Sequence, residues 1–414
     1  MNYNKNMKIR SYVLNVYKML FAIIVIDPLV GIFISNTTLL RLMELGCLLV
    51  AIINVVRLNK LKLKTGYENT GKLLFWLLLF ISIGIVGRSD FPTNLNGWAL
   101  FFVSKTGFLV YFVPFLLLFL PNREYFKDII RLFYKLSLLV VPIWIFNLSN
   151  LVQNAYGGER IGVYLPFLSA FLLPLTFYFT KKERLITISL WGIYLLLMLL
   201  NARRNVVFTL VLYGCFAYLL SLIDDLKKKP MKGAVVFLMM MLGLLFLQVN
   251  MDKFTSGLFN RMANRADEDT RSGVEELFFL DFANSPEEDW IFGRGADGGY
   301  YQIVKNKETG EVSDSRKGIE TGYLQLVLKG GIVYAVCIVL IILNAVFCAR
   351  KSKDKIIRRY LVMVMLSYLI DLYTTVPIGF FIPRMILFWF AISVMTQNGV
   401  NENKITIGME NRRV

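Results

Sequence analysis

The 414-residue sequence contains no histidine, and charged residues make up only 18% of it. Histidine is the commonest metal ligand and the commonest general base at neutral pH. Its absence excludes a histidine-based metal site and a histidine general base. Any chemistry must rest on carboxylates, arginines, tyrosines or groups of a bound lipid. The few cysteines all lie in apolar runs and predict neither a disulfide framework nor a metal site: Cys47, Cys215, Cys337 and Cys348.

Apolar runs dominate the chain, in which 56% of the residues are hydrophobic. A hydrocarbon core about 30 Å thick needs about 20 apolar residues per helix. Because lipid offers no partner to backbone polar groups, such runs must be helical. The sequence therefore predicts an all-α integral membrane protein with about twelve transmembrane helices, at 13–34, 39–56, 72–87, 98–120, 132–149, 164–180, 185–200, 206–223, 233–249, 323–348, 360–377 and 380–397.

The distribution of basic residues orients these helices, since lysine and arginine accumulate in cytoplasmic loops. With the N-terminus inside, 28 of the 46 basic residues are cytoplasmic and 13 are external. Both termini are predicted to be cytoplasmic, and the one long hydrophilic connection is predicted to be external. The chain is thus divided into helices 1 to 9 (1–249), a large external loop (250–322), helices 10 to 12 (323–397) and a cytoplasmic tail (398–414).

The net charge of +17 does not indicate nucleic acid, because the long loop carries 15 acidic and 9 basic residues. The excess is cytoplasmic, where it matches anionic lipid headgroups. External basic residues are mostly arginine, whose planar fork grips phosphate or carboxylate oxygens. Pairing with the loop's own acids is the alternative for each of them. The external arginines are Arg88, Arg160, Arg203, Arg204, Arg261, Arg265, Arg271, Arg294 and Arg316.

Several ionisable residues fall in the external halves of the predicted helices. Such residues are costly in lipid and usually face a cavity or each other. Arg41 and Glu44 are three residues apart and could be only a local pair. The pattern as a whole predicts a polar cavity that opens outward: Asp27, Arg41, Glu44, Lys105, Lys329, Asp371 and Arg384.

Within the loop, an amphipathic segment at 274–282 could lie on the helix bundle or in the membrane interface. It is followed by Gly293, Gly295 and Gly298, which formally match a dinucleotide-binding pattern. That fingerprint needs a strand before it and a helix after it. Neither is predicted here, so we reject a dinucleotide site. At the end of the loop, Glu320 precedes a helix, where simple capping is the alternative to a catalytic role.

Three segments resemble the O-antigen polymerase and O-antigen ligase superfamily of lipid-linked glycan transferases. They are the arginine-bearing connection 201–205, the loop stretches Thr270-Arg271 and Gly293-Arg294-Gly295, and the junction 320–332. Arg204 is the counterpart of the family's arginine in the short connection. Ligases of the superfamily typically carry a histidine at the junction, and Glu320 in its place favours the polymerase branch.

The resemblance implies a GT-C-like bundle and roles for particular residues. Glu320, Arg204 and Arg271 would be catalytic, with Glu320 as the base for an acceptor sugar hydroxyl. Arginines would neutralise the pyrophosphate leaving group without a metal or other cofactor: Arg203, Arg204, Arg265, Arg271 and Arg160. Aromatic residues would contact sugars, although an interfacial belt explains them equally well: Tyr300, Tyr301, Tyr323 and Trp290.

The resemblance also implies an activity, a place and partners. The chain would polymerise polyprenyl-pyrophosphate-linked repeat units into O-antigen, capsule or exopolysaccharide at the external face of the bacterial cytoplasmic membrane. Its partners would be the lipid-linked glycan and membrane lipids, with a chain-length regulator and a flippase as further candidates. Ligase-type transfer to another acceptor is one alternative, and a polysaccharide exporter or flippase is another.

Overall fold

The computed structural model describes most of the chain outside two long stretches, 143–166 and 227–271. Elements are numbered here in chain order within the described part. The described residues are 2–30, 37–60, 69–103, 108–139, 141–142, 167–200, 204–226, 272–305, 312–319, 321–350, 355–374 and 382–397.

Helices form the bulk of the described structure. The helices before the long loop are α1 (Asn2–Val30), α2 (Thr37–Lys60), α3 (Asn69–Gly87), α4 (Leu95–Val103), α5 (Phe108–Leu118), α6 (Phe126–Leu138), α7 (Phe167–Leu172), α8 (Lys181–Leu200) and α9 (Arg204–Leu226). The later helices are α10 (Ser272–Ala283), α11 (Glu287–Phe292), α12 (Gly322–Ala349), α13 (Lys355–Thr374) and α14 (Ile382–Thr396). A 3₁₀ turn, Leu173–Tyr178, follows α7, where Pro174 removes a helical hydrogen-bond donor.

Three described helices are long and apolar enough to cross a membrane: Lys5–Ile26, Thr38–Lys60 and Gly322–Ala349. A fourth is obtained if Gly97–Val103 and Phe108–Leu118, which meet at 43°, are one broken span. Shorter apolar helices accompany them. The structure is therefore that of a predominantly helical, membrane-associated protein, and the full number of twelve spans stays a prediction.

Helix positions follow the predicted apolar runs, with differences that have local causes. The ninth predicted run, 233–249, lies outside the described residues. The fifth was predicted at 132–149, but α6 begins earlier, at Phe126. Its first turns alternate buried side chains such as Ile129 with charged ones such as Asp128. A search for continuous apolar runs does not detect an amphipathic helix start of this kind.

A buried polar cluster ties α1, α14 and the α5–α6 connection together. Asn122 is fully buried and accepts a hydrogen bond from the Tyr17 hydroxyl at 2.8 Å. Its Nδ2 donates to the Leu117 carbonyl at 2.8 Å and to the Ser393 hydroxyl at 2.9 Å. Buried polar groups cost free energy unless they are paired, so this cluster fixes how the three segments meet.

The described residues of the second half of the long loop, 272–305 and 312–319, fold into a small unit that is called the loop module. It contains α10, α11 and an antiparallel hairpin of β1 (Tyr300–Lys305) and β2 (Val312–Arg316). The all-α prediction did not include this hairpin. The module packs on α3 and on the first turns of α12, at what is called here the loop end of the bundle.

Candidate functional site

Helix α12 is broken where the loop module meets it. Gly331 has φ 70° and ψ −177°, a conformation that only glycine adopts without strain. A Cβ on Gly331 would overlap the Ile291 carbonyl oxygen of α11. The break lets the backbone of α11 lie directly against α12, and it turns the first segment, 322–330, away from the long remainder of the helix.

The glycine-rich turn at 293–299 exists because of this close approach. Gly293 has φ 71°, and a Cβ there would be 2.5 Å from the Gly330 nitrogen. The Arg294 amide donates to the Leu328 carbonyl at 2.8 Å, and the Gly295 amide donates to the Lys329 carbonyl at 3.1 Å. The turn follows a helix and precedes a strand. This order is the reverse of the strand and helix that the dinucleotide fingerprint needs, and these glycines serve backbone packing.

Arg294 organises the polar interior of the loop module. Its guanidinium donates from Nη1 to Asp281 and to the Gly299 carbonyl at 2.7 Å. It also donates from Nε to Asp289 at 2.9 Å and from Nη2 to the Ser285 hydroxyl. The guanidinium carbon lies 4.5 Å from the centre of the Phe282 ring. Arg294 is thus committed to folding the module.

Arg88, at the end of α3, joins the module to the bundle. It donates from Nη2 to Asp289 at 3.0 Å, so Asp289 bridges two arginines. The neighbouring Ser89 hydroxyl accepts from the Ala296 amide at 2.8 Å and donates to the Ile85 carbonyl at 2.9 Å. For Arg88 and Arg294, pairing with the loop's own acids is the alternative that the structure bears out.

Lys329 of α12 also holds the glycine-rich turn at 293–299. Its side chain is buried, with 3% exposed, and its ammonium donates to the Gly298 carbonyl at 2.7 Å. Asp297 and Lys317 are the charged groups that act on it. Burial acts against a charge in this position, and the Gly298 carbonyl and the counter-charge of Asp297 offset that cost in part.

Three other ionisable residues of the predicted spans, Arg41, Glu44 and Arg384, also contact protein groups. Arg41 and Glu44 form an ion pair at 2.7 Å, which confirms the local-pair alternative. The Arg384 guanidinium carbon lies 4.4 Å from the centre of the Phe167 ring, at the start of α7. Side chains of Asp27, Lys105 and Asp371 lie outside the described part, so the predicted outward cavity stays a prediction.

The junction before α12 is held on both sides of Glu320. The Thr321 hydroxyl donates to the Glu275 carboxylate of α10. The Ile319 amide donates to the Gln325 side-chain oxygen at 2.8 Å. These two contacts fix the chain immediately before and after Glu320, which itself lies outside the described residues.

Most of the predicted charged site residues lie outside the described part of the chain: Arg160, Arg203, Arg265, Arg271 and Glu320. Arg204 is the first residue of α9, and only its backbone is described. Helix α9 packs on α13, and α13 packs on α12. At the far end of α13, the Tyr373 ring stacks on Tyr323 with centroids 6.5 Å apart. Helix α13 thus lies between α9, which begins at Arg204, and α12, which begins after Glu320.

Comparison with known protein families, with curated proteins and with solved structures finds no match to this chain. Within the described part of the chain, no three Cys, Asp or Glu side chains come together where they could hold a metal ion.

The four predicted sugar-contacting aromatics have different surroundings. Tyr300 is 1% exposed, and its hydroxyl donates to the Gln302 side chain at 2.9 Å inside the module. Trp290 is half-buried, and its Nε1 donates to the Phe282 carbonyl at 2.9 Å. Tyr301 is 59% exposed and Tyr323 is 37% exposed. These last two are the exposed members of the set, and the Tyr323 ring already stacks on Tyr373.

Sequence reasoning missed the acids that hold the module together. Asp281 and Asp289 lie 13 and 5 residues before Arg294, separations that carry no helical signal. The hairpin had a clearer signal: the run from Tyr300 to Val304 is rich in aromatic and β-branched residues, which favour a strand. The break at Gly331 had a weaker sequence signal, which is the Gly330-Gly331 pair inside an apolar helix.

Proposed function

We propose that the chain is a polytopic transferase that polymerises lipid-linked oligosaccharide repeat units at the external face of the bacterial cytoplasmic membrane. The growing glycan is transferred from its polyprenyl pyrophosphate to a hydroxyl of the next unit. In this proposal about twelve helices cross the membrane, both termini are cytoplasmic and the loop module is external.

The observation that carries the proposal is the meeting of the loop junction with the helices at the loop end of the bundle. Contacts of Thr321 and Ile319 hold the chain on either side of Glu320. Tyr323 stacks on the last turn of α13, which packs on the helix that begins at Arg204. A carboxylate and a guanidinium on these two helix starts suit a base and a phosphate-binding group.

The chemistry requires no nucleotide and no metal. The acceptor hydroxyl has a pKa far above neutrality, so a carboxylate within hydrogen-bond reach assists its attack on the anomeric carbon. The bond from that carbon to the pyrophosphate oxygen breaks, and negative charge develops on the leaving group. Bidentate arginine contacts stabilise that charge most strongly as it forms. Glu320 is assigned the first role, and Arg204 and Arg271 the second.

The remaining predicted arginines extend the second role. Arg203, Arg265 and Arg160 would contact the pyrophosphate away from the breaking bond. Arg88 and Arg294 are excluded from it, because their guanidiniums bind acids of the loop module.

A deletion strain distinguishes the proposal from its alternatives. Loss of a polymerase leaves single repeat units on the lipid carrier and on the surface, whereas loss of a flippase traps units inside. Complementation with Arg204→Ala or Glu320→Gln should give the deletion phenotype. Arg131→Ala, which removes an exposed arginine of α6, should restore full chain length. Full-length polymer from both Arg204→Ala and Glu320→Gln would contradict the assignment of these two residues to the active site.

A further inference from the structure

The outward face of α10 is apolar although the helix lies outside the bundle. Its inner side buries Phe278 and Phe282 completely in the module core. Away from that core Leu277, Phe279 and Leu280 are 39%, 44% and 55% exposed, and the exposed Glu276 lies among them. A helix that is apolar on both faces is typical of one that is covered on both sides.

Helix α11 extends this apolar surface. Ile291 and Phe292 are 43% and 53% exposed. Trp290 connects the two helices, because its ring stacks on Phe279 with centroids 6.4 Å apart and planes at 23°. Five residues define the patch: Leu277, Phe279, Leu280, Ile291 and Phe292.

The patch is continuous with the exposed apolar surface of a candidate membrane span. The backbone of Ile291 lies against Gly331 in the break of α12. The next residue, Ile332, is 48% exposed and begins the exposed side of that helix, which continues with Val336 at 49%. Helix α11 also packs on α3, where Ile83 is 60% exposed. The exposed apolar surfaces of α12 and α3 therefore adjoin the module at α11.

The charged residues around the patch indicate which kind of lipid contact it makes. Glu276, Glu287 and Glu288 are exposed beside it. Attraction to anionic headgroups would require basic residues there instead. Binding must therefore come from burial of apolar side chains and must not depend on anionic lipid.

We propose that the loop module is an interfacial element whose apolar patch lies in the headgroup–acyl boundary of the leaflet beside it. The inference concerns where the module lies, so it stands whether or not the chain is a transferase. An aromatic and aliphatic surface at this depth is the one that interfaces favour. A second copy of the chain and the rest of the long loop are the competing occupants.

Depth-resolved fluorescence quenching tests the proposal on the full-length protein. The four native cysteines are replaced by alanine, and a single cysteine is introduced as Leu280→Cys, Phe292→Cys or, as the matched control, Asp314→Cys on the exposed side of β2. Each variant is labelled with an environment-sensitive fluorophore and reconstituted into phosphatidylcholine vesicles. If the cysteine-free chain does not fold, Cys337 is retained, because this residue is only 1% exposed.

Labels at 280 and 292 should lose fluorescence when the lipid carries bromine on its acyl chains, and iodide in the buffer should quench them weakly. The label at 314 should show the reverse. Adding anionic lipid should leave the pattern unchanged. Iodide quenching at 280 and 292 as strong as at 314 would overturn the proposal, because the patch would then face water. Protection from both quenchers would also overturn it, because protein would then cover the patch.

Discussion

Arg294 shows how one side chain can commit a charge to folding rather than to ligand binding. Its guanidinium satisfies Asp281, Asp289, Ser285 and the Gly299 carbonyl together. Each of these groups is partly buried, and all of them except Asp289, which also binds Arg88, would be left without a cationic partner if Arg294 were removed. Hydrogen bonds to charged groups each stabilise by about 1.5–3 kcal/mol, so their loss is measurable.

Arg294→Ala should lower the free energy of unfolding by roughly 2–4 kcal/mol, the range for uncovering partly buried acids. Thermal unfolding of the purified protein in detergent gives the shift, and limited trypsin digestion reports whether the module has opened. Arg131→Ala, on the exposed face of α6, serves as the control and should change stability by less than about 0.5 kcal/mol. Equal stability of the two variants would contradict the role given to Arg294.

For each external arginine the sequence allows two roles, pairing with an acid of the long loop or binding an anionic ligand. Arg88 and Arg294 bind acids, but Asp289 reaches Arg88 only because the loop module folds back on α3, 201 residues away in the sequence. No local pattern encodes such a contact. The exposure of an aromatic ring is equally non-local, since Tyr300 is buried and the adjacent Tyr301 is not.

Helix α12 shows both what apolar length predicts and what it does not. Apolar length predicted a helix at 323–348, and the helix spans Gly322–Ala349. Its break at Gly331 was not predicted, because a positive φ there is needed only when another backbone lies against it. The amphipathic segment predicted at 274–282 is helix α10, and its inner face does lie on α12.

Gly331→Ala should separate α11 from α12. A side chain at φ 70° costs about 1–3 kcal/mol of strain. Overpacking against Ile291 costs about 1–3 kcal/mol more. The predicted result is a lower unfolding temperature and faster proteolysis of the loop module.

Gly192→Ala, in α8, is the matched control for this substitution. A Cβ at Gly192 meets nothing within 4 Å, and alanine is the better helix former by up to about 1 kcal/mol. This variant should be as stable as the parent or slightly more so. If Gly331→Ala behaved like Gly192→Ala, the close packing at the break would be refuted.

For the whole molecule, the decisive expectation is its orientation in the membrane. Every short loop assigned to the cytoplasm is basic, which places residue 182 inside and residue 314 outside. Both side chains are exposed and described, so they form a matched pair. Asp314→Cys should react with a membrane-impermeant maleimide in intact cells, and Lys182→Cys should react only after permeabilisation. The opposite pattern would invert the topology and place the loop module in the cytoplasm.

Hydropathy alone predicted a predominantly helical, membrane-associated protein and the positions of most of its described helices, because the cost of unpaired backbone in lipid is a local property of each run. The arrangement of helices α9, α13 and α12 around the junction could not be predicted, because helix packing depends on side chains from distant segments. Glu320 and Arg204 were proposed from resemblance and short-range context, and their partnership remains a prediction.

An assay of the purified protein with a defined polyprenyl-pyrophosphate-linked repeat unit tests the proposed polymerase activity most directly. A polymerase should give a ladder of multimeric lipid-linked products and released polyprenyl pyrophosphate, without added nucleotide, metal or other acceptor. Glu320→Gln and Arg204→Ala should each abolish the ladder while Arg131→Ala retains it. A parent protein that leaves the repeat unit unchanged, or that only moves it across the vesicle membrane, would contradict the proposed polymerase.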